Sequence, residues 1–303
     1  MRPATSAAVL AAALLSMAAA PAPGVPAAIS ADPPLDAAHP ASSMGVQFES
    51  HGSLVNALVM RPAGEGAHPT VVLCHGLPGN EQNLDLARAM QRAGWTVITF
   101  HYRGSWGSGG TYTLKGGIED VRVLLAQLHD PARAKAWGVD PSRIVLMGHS
   151  YGGMTAASAA ASAPDLLGVA LIAPWDVSRD VAMLKGLSPE AFDKTVAENF
   201  NDVDGRLSGA TAVSIAHDIV REGAELDLAA TAPVLAGKPL LVLTATHDST
   251  DDQAIELLAA LKGQPAARLT AQRMDTSHSF DDHRIALEAA VLGWLAHLPG
   301  APR

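Results

Sequence analysis

The sequence predicts an α/β fold, a mostly parallel central sheet with helices on both faces. Three observations carry this. From Thr70 onward, short β-branched apolar runs alternate with longer stretches of helical periodicity. The runs are apolar at nearly every position, as strands are when both of their faces are covered. The composition, 48 % hydrophobic and 17 % charged, is poorer in charge than the usual quarter and implies a large buried core. A chain of 303 residues suits one large α/β domain or two small ones.

Taken in order, residues 1–27 (MRPATSAAVLAAALLSMAAAPAPGVPA) read as a secretory signal. Arg2 supplies the positive start, Ala7 to Ala20 is an apolar stretch too short and alanine-rich for a membrane span, and Val25-Pro-Ala27 offers small residues for cleavage. Residues 28–43, rich in Ala, Pro and Ser, read as a disordered linker. The folded domain is expected over 44–303. "MGVQFES" and "LVNALVMRP" are expected to form an antiparallel edge. Then come strand "TVVLCHG", helix "EQNLDLARAMQRAG" stopped by Gly94, strand "WTVITFHY", helix "GIEDVRVLLAQLHD", strand "RIVLMGH", helix "YGGMTAASAAASA" and strand "GVALIAP". The rhythm breaks over 177–233. There "SPEAFDKTVAENF", begun by Ser188 with Pro189 behind it, and "GATAVSIAHDIVREGA" read as helices of a cap inserted above the sheet. It resumes with strand "PLLVLTATHD", helix "DDQAIELLAALKG", strand "ARLTAQRMD" and helix "HRIALEAAVLGWLAHL".

The net charge of −9 and the lack of any basic run argue against a nucleic-acid partner. Cys74 is the only cysteine, so no internal disulfide forms, and its place in "TVVLCHG" makes it a buried structural thiol. No histidine pair stands at helical metal-ligand spacing with a carboxylate, so neither a metal nor another cofactor is expected.

The chemistry is read first from Gly148-His-Ser-Tyr-Gly152. This G-x-S-x-G run follows a buried strand and precedes a small-residue helix, the setting of a strand-to-helix turn that lifts a serine above a sheet. Gly148 and Gly152 leave room for the close approach, and the helix N-terminus beneath Ser150 favours negative charge. A serine hydroxyl needs a base, and the oxyanion it generates needs donors. The Tyr151 amide is one donor. The Leu77 amide is assigned as the other, from the loop His75-Gly-Leu-Pro-Gly-Asn80 directly after "TVVLC". His75 and His149 flank these two turns and are read as local hydrogen-bonding residues.

"HGLPGN", "HYRGSWGSGG", "GHSYGG", "LLVLTATHD" and "SHSF" stand in an order and spacing that resembles the α/β-hydrolase superfamily, over about Val46 to Leu298. The chain looks most like the single-domain serine hydrolases grouped with prolyl-oligopeptidase and dienelactone-hydrolase relatives. The absence of an HGGG run separates it from the hormone-sensitive lipase group. The resemblance implies an α/β-hydrolase fold and a triad in chain order serine, acid, histidine. The acid is expected after "PLLVLTAT", where Asp248 stands. Asp251 and Asp252 are read as opening the next helix, and Asp176 is the rival acid, since some relatives carry theirs after the preceding strand. Arg103 and Trp106, on the loop "YRGSWG", are candidates for binding substrate, with a structural ion pair as the preferred role for Arg103.

Two histidines compete for the base in "DTSHSFDDHR". His278 lies in the loop past "ARLTAQRMD", at the upper sheet edge, and is assigned as the base, three residues beyond a strand ending at Asp275. His283 is placed in the first turn of the last helix, capped by Asp281 or Asp282, with Ile285, Leu287, Ala289, Leu292 and Leu295 on its apolar face. Asp275 is expected to brace the loop. The reading is therefore an exported serine hydrolase of carboxylic esters, acting on a small-molecule ester or short peptide. A prolyl-type serine peptidase and a non-catalytic ligand-binding protein on the same fold are the alternatives.

Overall fold

The computed structural model describes residues 25–264 and 268–302. The expected export signal therefore lies outside the described residues except for 25–27. The elements run α1 (Ala27–Ser30), β1 (Ser42–Ser50), β2 (Ser53–Arg61), β3 (His68–Cys74), α2 (Leu84–Arg92), β4 (Thr96–Phe100), α3 (Leu114–Leu128), α4 (Pro131–Trp137), β5 (Val139–His149), α5 (Tyr151–Ala159), β6 (Gly168–Ile172), α6 (Val177–Leu184), α7 (Pro189–Asn199), α8 (Ala212–Glu222), α9 (Ala232–Ala236), β7 (Pro239–His247), α10 (Asp251–Lys262), β8 (Arg268–Ser277) and α11 (Arg284–Ala296). The eight strands form one sheet in the order β1-β2-β4-β3-β5-β6-β7-β8. β2 pairs antiparallel with both β1 and β4, and the pairings from β4 through β3 to β8 are parallel.

The continuous apolar runs have a direct cause. In β3, Val71 and Leu73 face one core while Val72 and Cys74 face the other, and Ala170/Ile172 and Val169/Leu171 divide in the same way in β6. One face is covered by α2 and α11, through Leu86, Met90, Leu287 and Val291. The other is covered by α3 and α5, through Leu124, Leu128 and Met154. Burial pushes the Cys74 thiol up to about 12, so it is an inert packing group.

Caps set the helix starts. The Thr113 side chain accepts from the Gly116 amide at 2.9 Å, Ser188 caps α7 with Pro189 behind it as the sequence predicts, and Thr211 with Ser214 forms a reciprocal capping box on α8. Four short helices, α1, α4, α6 and α9, are additional to the sequence reading. α4 is capped by Asp130, begun by Pro131 and ended by Gly138 at φ 67°, the ordinary start and stop chemistry in a piece too short to show periodicity. Within 28–43, read as linker, Ala28 and Ile29 of α1 pack against the α2/α11 core, and the chain has no further helix or strand before β1.

The end of the chain requires three corrections. β8 continues to Ser277, with a register shift opposite Ala245 and His247, so His278 follows the strand directly. Neither Asp281 nor Asp282 caps α11. His283 itself occupies the cap position without a capping side-chain bond, because Asp282 takes the Thr276 hydroxyl and Asp281 that of Ser277. Ile285, expected on the apolar face of this helix, is exposed. Among the described residues no helix is long and apolar enough to cross a membrane.

Candidate active site

β5 enters a tight turn at Ser150, whose φ of 58° and ψ of −123° are strained for a residue with a side chain. Backbone bonds hold the strain: the Ser150 amide donates to Ile172 O at 2.9 Å, and Ser150 O accepts from Gly153 N at 2.8 Å and Trp175 N at 3.1 Å. The flanking glycines are sterically required. A Cβ on Gly148 would lie 1.9 Å from Gly152 O, and one on Gly152 would lie 2.2 Å from Cys74 O. β3 brings the loop His75–Asn80 against this turn, so closely that a Cβ on Gly76 would stand 3.0 Å from Ser150 Cβ. The Leu77 amide comes from that loop. The Tyr151 amide opens α5, where the first amides have no intrahelical acceptor.

The next two strands deliver the other predicted residues. Asp248 follows β7. Its Oδ1 accepts from the Thr250 amide at 2.9 Å, and its Oδ2 accepts from the Thr250 hydroxyl at 2.7 Å and from His278 Nδ1 at 2.8 Å. Burial alone raises this carboxyl, but the bonds from His278 and Thr250 outweigh it and hold Asp248 below the ordinary carboxylate range. The Asp248 side chain is 1 % exposed and the His278 side chain 36 %, so the pair is buried at its acid end and open at its imidazole. Ser150, Asp248, His278 and Leu77 line one cavity of about 630 Å³. Residues of 177–233 complete the wall with Asp180, Met183, Asn199, Phe200 and Val203, and Trp175 lines it as well.

The rival acids are committed elsewhere. Asp176 caps α6, accepting from the Ser178 amide and hydroxyl at 3.0 and 2.7 Å. Asp251 opens α10 and pairs with Arg273. Asp275 accepts from Thr246 at 2.6 Å and faces His247 at 3.0 Å, a brace between strand ends.

Neither candidate substrate contact lines the cavity, and for Arg103 the structural ion pair is the role that holds. Arg103 does not line the cavity. Its Nε donates to the fully buried Asp120 at 2.6 Å and its guanidinium also holds Glu119, because an uncompensated Asp120 would be costly to bury. Trp106 lies outside the cavity too, and its indole N–H donates to Pro78 O at 2.6 Å, bracing the Leu77 loop from behind.

Sequence reasoning missed several residues that shape the site. Thr250 had a readable signal, since Asp-x-Thr often closes a local turn. Arg284 had none: it donates to Ser279 O at 2.8 Å and to Asp85, tying the His278 loop to α2.

The sequence over residues 69–218 matches the family model described as alpha/beta hydrolase fold. The chain belongs to the α/β-hydrolase superfamily. This α/β hydrolase is 27 % identical over 183 residues to the quorum-quenching protein AidA of Acinetobacter baumannii, a stretch covering 58 % of each chain. The matched stretch thus spans less than two thirds of that relative. Among solved structures it resembles EstE1, a thermophilic carboxylesterase cloned from a metagenomic library (TM-score 0.62, 24 % identity, 86 % of this chain and 91 % of that one). It also resembles the acylaminoacyl peptidase of Pyrococcus horikoshii (TM-score 0.62, 15 % identity, 86 % of this chain and 42 % of that one). At these identities the structural likeness concerns the fold.

Two buried histidines beside the site of this α/β hydrolase are expected to make its stability acid-sensitive. Burial pushes His75 down to about 4 and His149 down to about 3. Unfolded, each would take a proton near pH 6.5. The native state then binds fewer protons, so stability is full above about pH 6.5 and falls as pH drops toward the folded values, by up to about 1.4 kcal/mol per pH unit for each histidine. The melting temperature is expected to fall steadily from pH 6.5 to pH 4. His75→Asn, which can keep the 2.7 Å bond from Nδ1 to Gly76 O, should show a shallower fall. A pH-independent melting temperature over that range would contradict this.

Proposed function

We propose that the protein is a serine hydrolase of carboxylic esters that works through an acyl-enzyme. The observation that carries this reading is the 2.8 Å bond from His278 Nδ1 to buried Asp248, on the wall of the cavity that Ser150 also lines. Asp248 fixes the tautomer, leaving Nε2 of His278 as the base. Ser150 attacks the acyl carbon as His278 takes its proton, the Leu77 and Tyr151 amides hold the oxyanion, and His278 returns the proton to the leaving alcohol. Water activated by the same imidazole then releases the acyl group. The cavity volume lies within the range of small-molecule pockets, which favours an ester over a polypeptide chain. The N-terminal stretch is proposed to direct export, which sequencing the N-terminus of the secreted protein would test.

A series of p-nitrophenyl esters of rising chain length, run beside prolyl and aminoacyl anilides, tests the reaction class. Turnover of the esters, with a fluorophosphonate adduct on Ser150, is the expected result. Folded protein that takes no adduct would instead indicate a binding module, and preferential anilide cleavage a peptidase.

The inserted segment 177–233 is proposed to act as the cap that sets acyl-chain preference. Met183→Ala and Phe200→Ala, which remove side chains from the cavity wall, should move the ratio of kcat/KM for long over short acyl chains upward by about 10-fold, since one methylene is worth roughly 10- to 200-fold in a fitted pocket. Variants that lower the melting temperature and leave this ratio flat would contradict the role.

A further inference from the structure

The residue before the serine, His149, makes a contact that the proposed reaction does not use. It ends β5, is 3 % exposed, and its ring lies 4.8 Å from that of His278 at 45°. Its Nε2 is 3.0 Å from the backbone carbonyl oxygen of His278. A carbonyl only accepts, so Nε2 carries the hydrogen and Nδ1 is bare. That Nδ1 is buried without a hydrogen-bond partner among the described residues. Leaving it so is costly, and local packing would be served equally well by an apolar side chain. The contact instead reaches across 129 residues of chain to the loop that carries the base.

We infer that His149 is a positioning residue for His278, a neutral donor that fixes the backbone of the base and one side of its ring. This rests on the hydrolase reading above. The His278 loop leaves β8 at its last residue and turns at Phe280, which has φ 57° and is fully buried. Asp248 holds the imidazole by Nδ1, and Arg284 holds the next carbonyl, Ser279 O, at 2.8 Å. The His149 bond supplies the remaining anchor, from the sheet itself and from the residue adjacent to the nucleophile, so serine and base share one rigid support. Neutrality is part of the design. His278 becomes an imidazolium in the proposed mechanism, and a second cation at ring-contact distance would oppose it. Burial first, and the neighbouring His278 charge second, keep His149 unprotonated.

The test compares His149→Leu, which fills the space without a donor, His149→Gln, whose amide can still reach the carbonyl, and His149→Asn, whose amide is one bond shorter. With p-nitrophenyl butyrate, His149→Leu and His149→Asn are expected to lower kcat by about 10- to 100-fold, the scale of a base displaced by up to an ångström. KM should stay within about twofold, because the bond acts on the base and not on substrate binding. His149→Gln should recover most of kcat. A second readout does not need turnover. The deshielded proton NMR resonance of the His278–Asp248 bond should be sharp in the wild type and His149→Gln, and broadened or shifted in the other two. Unchanged kcat and an unchanged resonance in His149→Leu would overturn the proposal. So would a loss in His149→Gln equal to that in His149→Leu. If wild type turns over no ester, the hydrolase reading fails, and the resonance still decides whether His149 positions His278.

Discussion

Replacing Ser150 with alanine is expected to lower ester turnover by about 10⁴-fold or more, the cost of losing a nucleophile that works as a unit with its base. The fold should survive. The strained turn is pinned by backbone bonds to Ile172, Gly153 and Trp175, none of which involves the hydroxyl, and alanine meets the same strain at φ 58° as serine does. Measurement of kcat/KM on p-nitrophenyl acetate, together with a melting curve, separates the two effects. A folded Ser150→Ala protein with near-wild-type turnover would refute the mechanism.

The second large effect is expected at His278 and not at His283. His278→Ala removes the group bonded to Asp248 and should cost several orders of magnitude in kcat. His283 lies at the α11 cap position beside Asp282, at 3.0 Å, and does not line the cavity that holds Ser150. His283→Ala should therefore keep most of the activity. Assays of both variants at pH 8 decide between them, and a reversed outcome would move the base to His283. Asp248→Asn extends the argument to the acid. The asparagine amide can present a donor to Nδ1 and hold the wrong tautomer, so kcat should fall by about 10⁴-fold with little change in KM.

Much of this site was legible because its determinants are local in sequence. The elbow is a matter of five consecutive residues: Gly148 and Gly152 are needed where backbone from two elements passes within touching distance, and that need is visible beside Ser150 without the rest of the fold. Asp248 and His278 were placed by the rule that parallel strands deliver their following loops to one sheet edge, together with the family resemblance, and the 2.8 Å bond between them has the predicted partners. Trp106 was offered as a substrate contact, and Arg103 as either that or a structural ion pair, because a loop position near the site does not say which way a side chain points. Arg103 turns toward Asp120, which is 17 residues away in α3, and this follows from the burial of that carboxylate. The start of α11 was misread for a similar reason, since local capping preference favoured Asp282 whereas the hydroxyl of Thr276 claims it.

The sequence by itself determined the order of the strands and the longer helices, the two-faced burial of the sheet, the turn at Ser150 and the identity of the residues that follow β7 and β8. These depend on periodicity and on backbone sterics, which act over a few residues. Only the tertiary structure decided which residues of 177–233 meet the cavity, that Thr250 holds Asp248 while Arg284 holds the loop after His278, and that His149 touches the backbone of His278. Such contacts, with the Arg284–Asp85 bond, join residues as many as 199 positions apart, and they arise from how packed elements orient side chains, a property that no window of the chain contains.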